Sequence, residues 1–271
     1  IVYISGGQVY LQPLISTGEA QSLTTVEEEI RHITFSPYGM SIAYDTLSSE
    51  EQPSGGIWQV SAAGGDPVQL LVNGPTGQSI NAPPFYSNPE FARNINALLV
   101  VSGGAETTGF TLLDLGTRES LDMGAFDDAI WLSDGQILGY GDGNGIGDPL
   151  TMQEVAAVNP ADGTRRLLAS LPYPVRVVAM REIDGGKVRL VLGRYGVGPA
   201  ALNVVDMDTA SGALTPVGSG GFMVSPQVSP DGTFLGGYAR PDGPLIFRNL
   251  STGEAVTVHE PPNTRGFVWG S

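Results

Sequence analysis

The sequence predicts an all-β fold built from repeated antiparallel units of four strands, and three observations lead to that prediction. A turn of the Ser-Pro-Asp-Gly type recurs between apolar runs. A second apolar hairpin follows each of these turns. The two hairpins return together at nearly regular intervals along the whole chain, so the same structural unit is expected to be repeated.

The first hairpin is clearest at Ser229-Pro230-Asp231-Gly232, which precedes the strand-like run 233–238. Proline presets φ at the first central turn position, and Asp-Gly supplies a residue in the left-handed region. The tetrapeptide therefore reverses one strand into its antiparallel neighbour. Weaker copies of this turn occupy residues 36–39, 132–135 and 183–186.

The second hairpin consists of an apolar strand, a short polar turn that contains Gly, and another strand. Its turns are Ala63-Gly64-Gly65-Asp66, Gly116-Thr117-Arg118, Ala161-Asp162-Gly163, Ala210-Ser211-Gly212 and Ser251-Thr252-Gly253. The same hairpin opens the chain around Ser16-Thr17-Gly18, where no first strand precedes it.

The spacing of the units predicts how they assemble. One apolar residue in each predicted innermost strand occupies the same place in the repeat: Phe35, Phe85, Trp131, Val178, Val228 and Phe267. The numbers of successive residues in this series differ by 50, 46, 47, 50 and 39. Blades of four strands recur at about 40 to 50 residues in β-propellers. We therefore predict a six-bladed β-propeller of four-stranded antiparallel blades.

The two ends of the chain are expected to share one blade. Residues 267–271 read like an innermost strand that breaks off where residues 1–4 would follow. A ring that closes in this way has no free sheet edges, which removes the main liability of an all-β chain. Repeats that run evenly without a linker also predict one domain over residues 1–271, and Gly 38 and Pro 20 agree with an all-β fold.

These repeats resemble the TolB-type β-propeller repeats of bacteria over essentially the whole chain. The residues that carry the resemblance lie in three segments: Phe35 to Gly39 with Ile42-Ala43-Tyr44, Gly7 to Leu14 with Ser16-Thr17-Gly18-Glu19, and Val228 to Gly232 with Leu250 to Glu254. Asn88-Pro89-Glu90-Phe91 departs from the pattern and is interpreted as the turn of the second unit. The matching residues make turns and cores, so the resemblance implies a fold and leaves function open.

The resemblance also implies a bacterial cell-envelope protein, with an extracytoplasmic location in the periplasm or at the cell surface. The chain lacks an initiating Met and any apolar run as long as a membrane span. We expect it to be a segment of a longer protein that is not itself embedded in a membrane. A missing flanking segment could tether it to one.

Charge excludes some classes of partner. The formal net charge is −15, from 28 acidic against 13 basic residues, and no basic stripe is present. Nucleic acid is therefore not expected as a partner, and binding to anionic lipid surfaces is disfavoured. Cysteine is absent, which excludes disulfides, thiolate metal sites and a cysteine nucleophile.

Groups that could perform catalysis are sparse. His32 and His259 are the only histidines, and they lie far apart in the order of the repeats. No Gly-x-Ser-x-Gly motif is present, and a Ser-His-Asp triad could be built only from His32. The adjacent carboxylates Asp127 and Asp128 would point to opposite faces of a strand. The chain is therefore not expected to be an enzyme.

One Gly-rich loop alternates oxygen donors in the manner of a hard-cation site. Asp142, Asn144 and Asp148 could supply side-chain oxygens to calcium, and Ile146 its carbonyl. Gln153 stands where a bidentate Glu would be expected, and an extended turn explains the same residues. No cofactor is expected, and calcium remains an alternative.

Loops that lead into innermost strands gather at one mouth of a propeller channel, so their polar residues are candidates for ligand contact. From different blades these are Arg31, His32, Asn81, Asp127, Asp128, Arg176 and Arg265. Their mixed charges suit a peptide or a small polar ligand. The alternative is a solvated rim whose residues satisfy one another.

The function expected from the sequence is a noncatalytic propeller that binds a protein or peptide, or serves as a scaffold, in a bacterial cell-envelope protein or complex. Two alternatives stay open. One is the gating propeller of a prolyl-oligopeptidase-like peptidase whose catalytic domain is absent here. The other is a calcium-dependent sugar-active propeller.

Overall fold

The computed structural model describes residues 2–5, 8–11, 21–23, 30–46, 55–74, 85–92, 94–103, 108–141, 152–194, 201–240 and 243–258. This part of the chain forms 23 strands and no helix, which confirms the predicted all-β class. None of it forms a helix with the length and hydropathy needed to cross a bilayer.

The chain divides into two compact units. The first comprises residues 1–127 together with 144–146 and 160–163, and the second comprises residues 128–143, 147–159 and 164–271.

The first unit contains three antiparallel sheets, each with its strands in sequence order. The N-terminal sheet has three described strands: β1 (Val2–Ser5), β2 (Gln8–Leu11) and β3 (Gln21–Ser22). The next sheet has four: β4 (Ile30–Phe35), β5 (Ser41–Thr46), β6 (Gly56–Ser61) and β7 (Val68–Val72). The third also has four: β8 (Phe85–Phe91), β9 (Ala97–Gly103), β10 (Thr108–Asp114) and β11 (Ser120–Gly124).

The second unit contains three antiparallel sheets of four strands each, again in sequence order. The first has β12 (Asp128–Trp131), β13 (Ile137–Gly141), β14 (Gln153–Val158) and β15 (Arg165–Leu171). The second has β16 (Val175–Asp184), β17 (Lys187–Arg194), β18 (Leu202–Asp208) and β19 (Leu214–Gly221). The third has β20 (Val224–Val228), β21 (Phe234–Tyr238), β22 (Leu245–Asn249) and β23 (Ala255–Val258).

Five complete four-stranded sheets thus confirm the predicted repeat of two hairpins. The predicted C-terminal strand, residues 267–271, lies outside the described residues. The count of six blades and the closure of the ring by the two ends therefore stay predictions.

The predicted turns are confirmed in detail. Gly232 has φ 72°, and its amide donates to the carbonyl of Ser229 at 2.9 Å. The Ser229 amide donates to the carbonyl of Phe234 at 2.9 Å, so the turn closes the β20–β21 hairpin. In the second type of hairpin, Arg118 adopts φ 65° where the corresponding turns carry Gly. The left-handed position is therefore set by the turn, even where the residue is not glycine.

The interpretation of Asn88-Pro89-Glu90-Phe91 as a turn is wrong, because these residues belong to β8. The pairing of β8 with β9 shifts between Ser87 and Glu90, which makes a bulge at Asn88 with φ 48°. The chain reverses after Phe91, where the Ala92 amide donates to the carbonyl of Ala97 at 2.9 Å.

This difference also corrects the alignment of innermost residues. Phe85 begins β8, and Phe91 is the counterpart of Phe35, since Phe91 pairs with Leu98 as Phe35 pairs with Ile42. Phe91 is buried against the neighbouring sheet, and that burial keeps it in the strand.

The second strand of the sheet β4–β7 is buried on both faces. Ile42 and Tyr44 of β5 belong to a cluster with Leu23 and Ile30. Ala43 belongs to a second cluster, which includes residues of β8, β9 and β10. Alternation along a strand therefore directs Asp45, two residues after Ala43, towards the sheet β8–β11. In the second unit, comparable clusters pack β12–β15 on β16–β19 and β16–β19 on β20–β23.

Candidate binding site at the bulged strands of the first unit

A bulge in β4 places two candidate residues opposite one partner. Ile30 pairs with Thr46 and Ile33 pairs with Tyr44, so Arg31 and His32 together oppose Asp45. A bulge of this kind interrupts the ladder of backbone hydrogen bonds and re-aims the side chains at that point. The backbone amide of His32 therefore needs a partner outside the regular ladder.

The carboxylate of Asp45 supplies that partner and two further contacts. Its Oδ1 accepts the His32 amide at 2.7 Å, and its Oδ2 lies 2.9 Å from Nδ1 of the same residue. Oδ2 also accepts the amide of Asn88, at the bulge of β8, at 3.0 Å. One carboxylate therefore joins the bulged strands of two neighbouring sheets.

The burial of Asp45 makes these contacts necessary. Its side chain is 3% exposed, whereas that of His32 is 50% exposed. A buried carboxylate without partners is strongly unfavourable, but three N–H donors satisfy this one. The residues opposite the bulges of β8 and β20 are Val100 and Gly237, both of which are buried. Of the bulges in β4, β8 and β20, the bulge in β4 is therefore the one that has a carboxylate opposite it.

The two side chains change each other's protonation. The hydrogen bond to Asp45 raises the pKa of His32 above 6.5, although burial and the charge of Arg31 act in the opposite direction. Burial raises the pKa of Asp45, but the hydrogen bonds from the His32 ring and from the amides of Asn88 and His32 hold that pKa below 3.8. The geometry therefore favours the charged form of each of the two side chains.

The outer part of this site is polar and accessible. Arg31 is exposed, and its guanidinium is close enough to affect the pKa of the His32 ring. Because Asp45 can only accept a hydrogen bond when ionised, Nδ1 of His32 carries the proton and Nε2 remains for a ligand. Chemically, the site can bind an anionic or polar group, and it can exchange one proton at Nε2.

The structure places Arg31 and His32 side by side on β4, and it describes three of the other five predicted rim residues. Asp127 is exposed and belongs to the first unit, whereas Asp128 and Arg176 are half-buried and belong to the second. The amide of Ala129 donates to Oδ1 of Asp128 at 2.9 Å. Asn81 and Arg265 lie outside the described residues, so convergence of all seven positions stays a prediction.

The predicted calcium ligands Asp142, Asn144, Ile146 and Asp148 also lie outside the described residues, so this site stays a prediction. Within the described ranges, no group of three or more His, Cys, Asp or Glu side chains is arranged to hold a metal ion.

Sequence reasoning missed Asp45 and the amide of Asn88. A signal for Asp45 was available, because it is the one charged residue in the strand Ser-Ile-Ala-Tyr-Asp-Thr. No comparable signal marks Asn88, whose contribution comes from its backbone.

Other side chains also join one sheet to the first strand of the next. In the first unit, Oδ1 of Asn73 accepts the amide of Tyr86 at 2.6 Å. In the second unit, Oε1 of Gln153 accepts the amide of Val177 at 2.6 Å. Both links use neutral amides, so a link of this kind does not require the charge of Asp45.

A second feature of the first unit is a cavity of about 330 Å³ beside the β4–β5 and β8–β9 turns, with Phe91, Gln59 and Asn96 among its lining residues. Three apolar side chains at this cavity are exposed to solvent: Tyr38 (86%), Met40 (74%) and Ile95 (45%). Clustered exposed apolar groups are typical of interaction surfaces.

Comparison with known proteins gives likeness in structure only. No protein-family model matches the chain, and no curated protein matches it in sequence. A prolyl endopeptidase structure is 15% identical with a TM-score of 0.64, and the match covers 95% of this chain and 41% of that one. The β-propeller domain of the Trilobed protease from Pyrococcus furiosus is 14% identical with a TM-score of 0.60, covering 94% of this chain and 77% of that one.

TolB from Acinetobacter baumannii is 16% identical with a TM-score of 0.55, and the match covers 92% of this chain. The chain spans 58% of the length of that TolB chain. Together with the repeated four-stranded sheets, these likenesses show that the chain has a TolB-like β-propeller fold.

Proposed function

We propose that this chain is a noncatalytic β-propeller domain that binds a peptide or a protein segment, and that Arg31 and His32 form part of its contact site. The observation that carries the proposal is the fixation of His32 by the buried carboxylate of Asp45. A polar side chain held in one orientation on a strand loses little conformational entropy when it binds a ligand.

The surroundings support a binding role. Arg31 and the half-exposed ring of His32 offer hydrogen-bond donors next to each other on β4. The exposed apolar side chains Tyr38, Met40 and Ile95 lie beside the turn at the other end of β4 and offer a separate apolar contact area in the same unit.

The proposal also covers the number of blades, the kind of protein to which the domain belongs and its location in the cell. We propose six blades, one of them shared between the two ends of the chain, in a bacterial cell-envelope protein or complex with an extracytoplasmic location. The regular spacing of the repeats and the likeness to TolB support this. A flanking segment that tethers the domain to a membrane is part of the same proposal.

The experiment compares partner capture by the wild-type chain and by a site variant. The immobilised chain is incubated with bacterial envelope extract, and captured proteins are identified by mass spectrometry. The double variant Arg31→Ala with His32→Asn is expected to lose the captured partner. Arg118→Gly, which removes one positive charge from an exposed turn of the same unit, is the control and is expected to retain it.

Two results would contradict the proposal. One is that the wild type captures nothing while the isolated chain turns over a peptide or ester substrate. The other is that the double variant captures the same partner as the wild type, which would place the contact site elsewhere.

A second candidate is the gating propeller of a prolyl-oligopeptidase-like peptidase. The likeness to a prolyl endopeptidase, which has the highest TM-score of the three structures compared, favours it. In that case the full gene product would also encode a hydrolase domain with a Gly-x-Ser-x-Gly motif between a strand and a helix. Sequencing of the complete coding region separates the two candidates.

A further inference from the structure

We propose that the outer edge of β23 (Ala255–Val258) is a docking site for an extended segment of a different protein, which pairs with β23 as an additional strand of its sheet. The inference goes beyond the proposed function, because β23 belongs to the second unit and the site does not involve Arg31 or His32. It is carried by the regular pairing of β23 and by its difference from the other outermost strands.

The first step concerns the position of β23 in its sheet. The order of the strands is β20-β21-β22-β23, so β23 pairs with β22 on one side and, among the described strands, with none on the other. An edge of this kind presents a row of backbone N–H and C=O groups. The ligand that matches such a row is another extended polypeptide backbone.

The second step identifies the backbone groups at this edge. The Asn249 amide donates to the carbonyl of Glu254 at 2.8 Å, where the β22–β23 hairpin turns. Hydrogen-bonded and non-hydrogen-bonded pairs alternate in an antiparallel ladder, so Val256 is the next residue whose backbone groups point towards β22. The N–H and C=O groups of Ala255 and Thr257 therefore point away from β22, towards the outer edge.

The third step compares β23 with the outermost strands of the other four complete sheets. The pairings of β6 with β7, β10 with β11, β14 with β15 and β18 with β19 each contain a register shift. The pairing of β22 with β23 runs without a shift, from Arg248 opposite Ala255 to Leu245 opposite Val258. Bulges twist an edge away from regular pairing, so the other four edges have this protection and β23 does not.

Side chains protect three of the other edges further. Asp122 lies in β11, Arg165 and Arg166 lie in β15, and Pro216 lies in β19. Charged residues and proline on an edge strand discourage pairing with another chain. The sequence of β23, Ala-Val-Thr-Val, has no charge, proline or glycine and is rich in β-branched residues. Val256 is 64% exposed, so its side chain offers apolar contact to an added strand.

Charge decides between a second copy of this chain and a different protein as the occupant. The formal net charge is −15, so two copies repel each other. Glu254, which directly precedes β23, is an exposed acidic residue. A strand with basic residues beside it is attracted both by the net charge and by Glu254. The occupant is therefore an extended segment of another protein with basic flanks.

The test uses the full chain and the synthetic peptide Lys-Lys-Thr-Val-Thr-Val-Thr-Lys-Lys, whose core favours an extended strand. The matched control peptide has the same side chains but carries an N-methyl group on each Val and Thr, so its core cannot donate backbone hydrogen bonds. Hydrogen exchange of single backbone amides is followed by NMR. In the free chain, the amides of Ala255 and Thr257 should exchange quickly and that of Val256, which points to β22, slowly.

Addition of the lysine peptide should protect the outward amides. At about ten times its Kd, roughly a tenth of the chain remains free, so exchange at Ala255 and Thr257 should slow about tenfold. The N-methylated peptide should leave both rates unchanged. Slow exchange of both amides in the free chain would show that the edge is already paired and would overturn the inference. Unchanged rates with the lysine peptide would overturn it as well.

Variants test the edge without breaking the hairpin. Thr257→Pro removes an amide that points outward, so the ladder with β22 is retained and the lysine peptide should no longer bind. Thr257→Lys places a positive charge on the edge and should weaken binding of this peptide about tenfold. Leu167→Lys adds the same charge at an exposed position of β15 and is expected to bind as the wild type does. Binding is measured by the fluorescence anisotropy of the labelled peptide. Equal weakening by the two lysine variants would overturn the assignment to β23.

Further measurements identify the occupant. A peptide with glutamate in place of each lysine should bind more weakly, and equal binding would overturn the preference for basic flanks. Sedimentation of the chain alone should show a monomer. A dimer that Thr257→Pro abolishes would overturn the choice of a different protein and make the edge an interface between copies.

One variant distinguishes this site from the proposed contact site on β4. The double variant Arg31→Ala with His32→Asn should bind the lysine peptide as tightly as the wild type. Loss of peptide binding in that variant would overturn the location at β23. Failure of the peptide to bind the wild type would leave the proposed function to the capture experiment, which depends on Arg31 and His32.

Discussion

Oδ2 of Asp45 lies 2.9 Å from Nδ1 of His32, and the same carboxylate accepts the amide of Asn88 from the adjacent sheet. A single buried charge therefore orients the half-exposed ring of His32 and joins two sheets. The amides that Asp45 accepts lie at the bulges in β4 and β8, so these irregularities determine which groups meet the carboxylate.

Replacement of Asp45 should destabilise the protein. Asp45→Ala removes the acceptor for three N–H groups and is expected to lower the free energy of unfolding by about 3 kcal/mol. Asp45→Asn retains one acceptor oxygen and should lower it by about 1–2 kcal/mol. Urea denaturation measures both values.

Asp122→Asn is the control for this prediction, because Asp122 is exposed and its carboxylate accepts the amide of Gly124 at 2.8 Å. A loss from Asp45→Ala no larger than that from Asp122→Asn would show that the buried carboxylate contributes little to stability.

Stability should depend on pH through the same pair. The pKa of His32 is raised, so its contribution is fully present below pH 6.5, its unfolded value, and is lost as the pH rises through its folded pKa. The pKa of Asp45 is lowered, so its contribution is present above pH 3.8 and is lost as the pH falls through its folded pKa. The pair therefore stabilises the protein most between these two limits.

The measurement is the melting temperature of wild type and His32→Asn between pH 3 and pH 9. The variant should lack the decrease that the wild type shows on the alkaline side, and it should keep the decrease on the acidic side. Identical profiles on the alkaline side would contradict the assignment of that transition to His32.

A second prediction about protonation concerns the pKa of Asp231 in the turn that begins at Ser229. The Ser229 hydroxyl donates to Oδ1 of Asp231 at 2.6 Å and is the main reason that the pKa of Asp231 falls to about 2. Ser229→Ala should raise the pKa of Asp231 towards 3.8, as followed by carboxyl NMR. It also removes the acceptor of the Phe234 amide, so the free energy of unfolding should fall by about 1–2 kcal/mol.

Ser36→Ala is the matched variant, because the Ser36 hydroxyl accepts the amides of Met40 and Ser41 but Tyr38 stands where the other turn has Asp231. It should cost about 1 kcal/mol or less. A larger loss from Ser36→Ala than from Ser229→Ala would argue against a contribution from the Ser229–Asp231 hydrogen bond.

Two glycines with nearly the same φ allow the cost of backbone strain to be distinguished from the cost of a clash between packed sheets. Gly212 has φ 74°, and a Cβ there would overlap the carbonyl oxygen of Leu168 in the preceding sheet. Gly253 has φ 75°, and no described atom lies within 4 Å of such a Cβ. Gly253→Ala should therefore cost about 1 kcal/mol from φ alone, and Gly212→Ala about 3 kcal/mol. Equal losses in thermal denaturation would mean that the two sheets do not pack closely at Gly212.

Replacement of Arg118 by glycine should stabilise the protein. It adopts φ 65° at a position where the corresponding turns carry Gly, and a side chain in that region is strained. Arg118→Gly should raise the free energy of unfolding by about 0.5–1 kcal/mol, because relief of strain exceeds the added entropy of the unfolded chain. The hydrogen bond from the Arg118 amide to the Asp114 carbonyl, at 2.9 Å, should remain. A lower urea midpoint with an unchanged slope would contradict this expectation.

The sequence predicted the turns more reliably than the ends of the strands. Ser229 to Gly232 form the expected turn because the turn chemistry is local and each residue acts through its own φ or its own side chain. The predicted turn of the second repeat is wrong, because Asn88 and Pro89 are turn-forming residues by composition. Packing of Phe91 against the neighbouring sheet keeps them in a bulged strand instead.

The sequence predicts Arg31 and His32 in a loop that leads into an innermost strand, whereas the structure places both within β4, where they are exposed. Their role in ligand contact stays a prediction. Asp45 was not selected, since a carboxylate 13 residues from His32 has no local relation to it. Their contact exists only because a bulge puts two residues of β4 opposite one residue of β5.

The amino-acid sequence alone thus determined the all-β class, the four-stranded repeat and the position of most turns, because strand alternation and turn chemistry act over a few residues. Tertiary structure decided where the bulges fall and which carboxylate lies beneath His32. Those features depend on how one sheet packs on the next, and that packing is set by residues far apart in the chain.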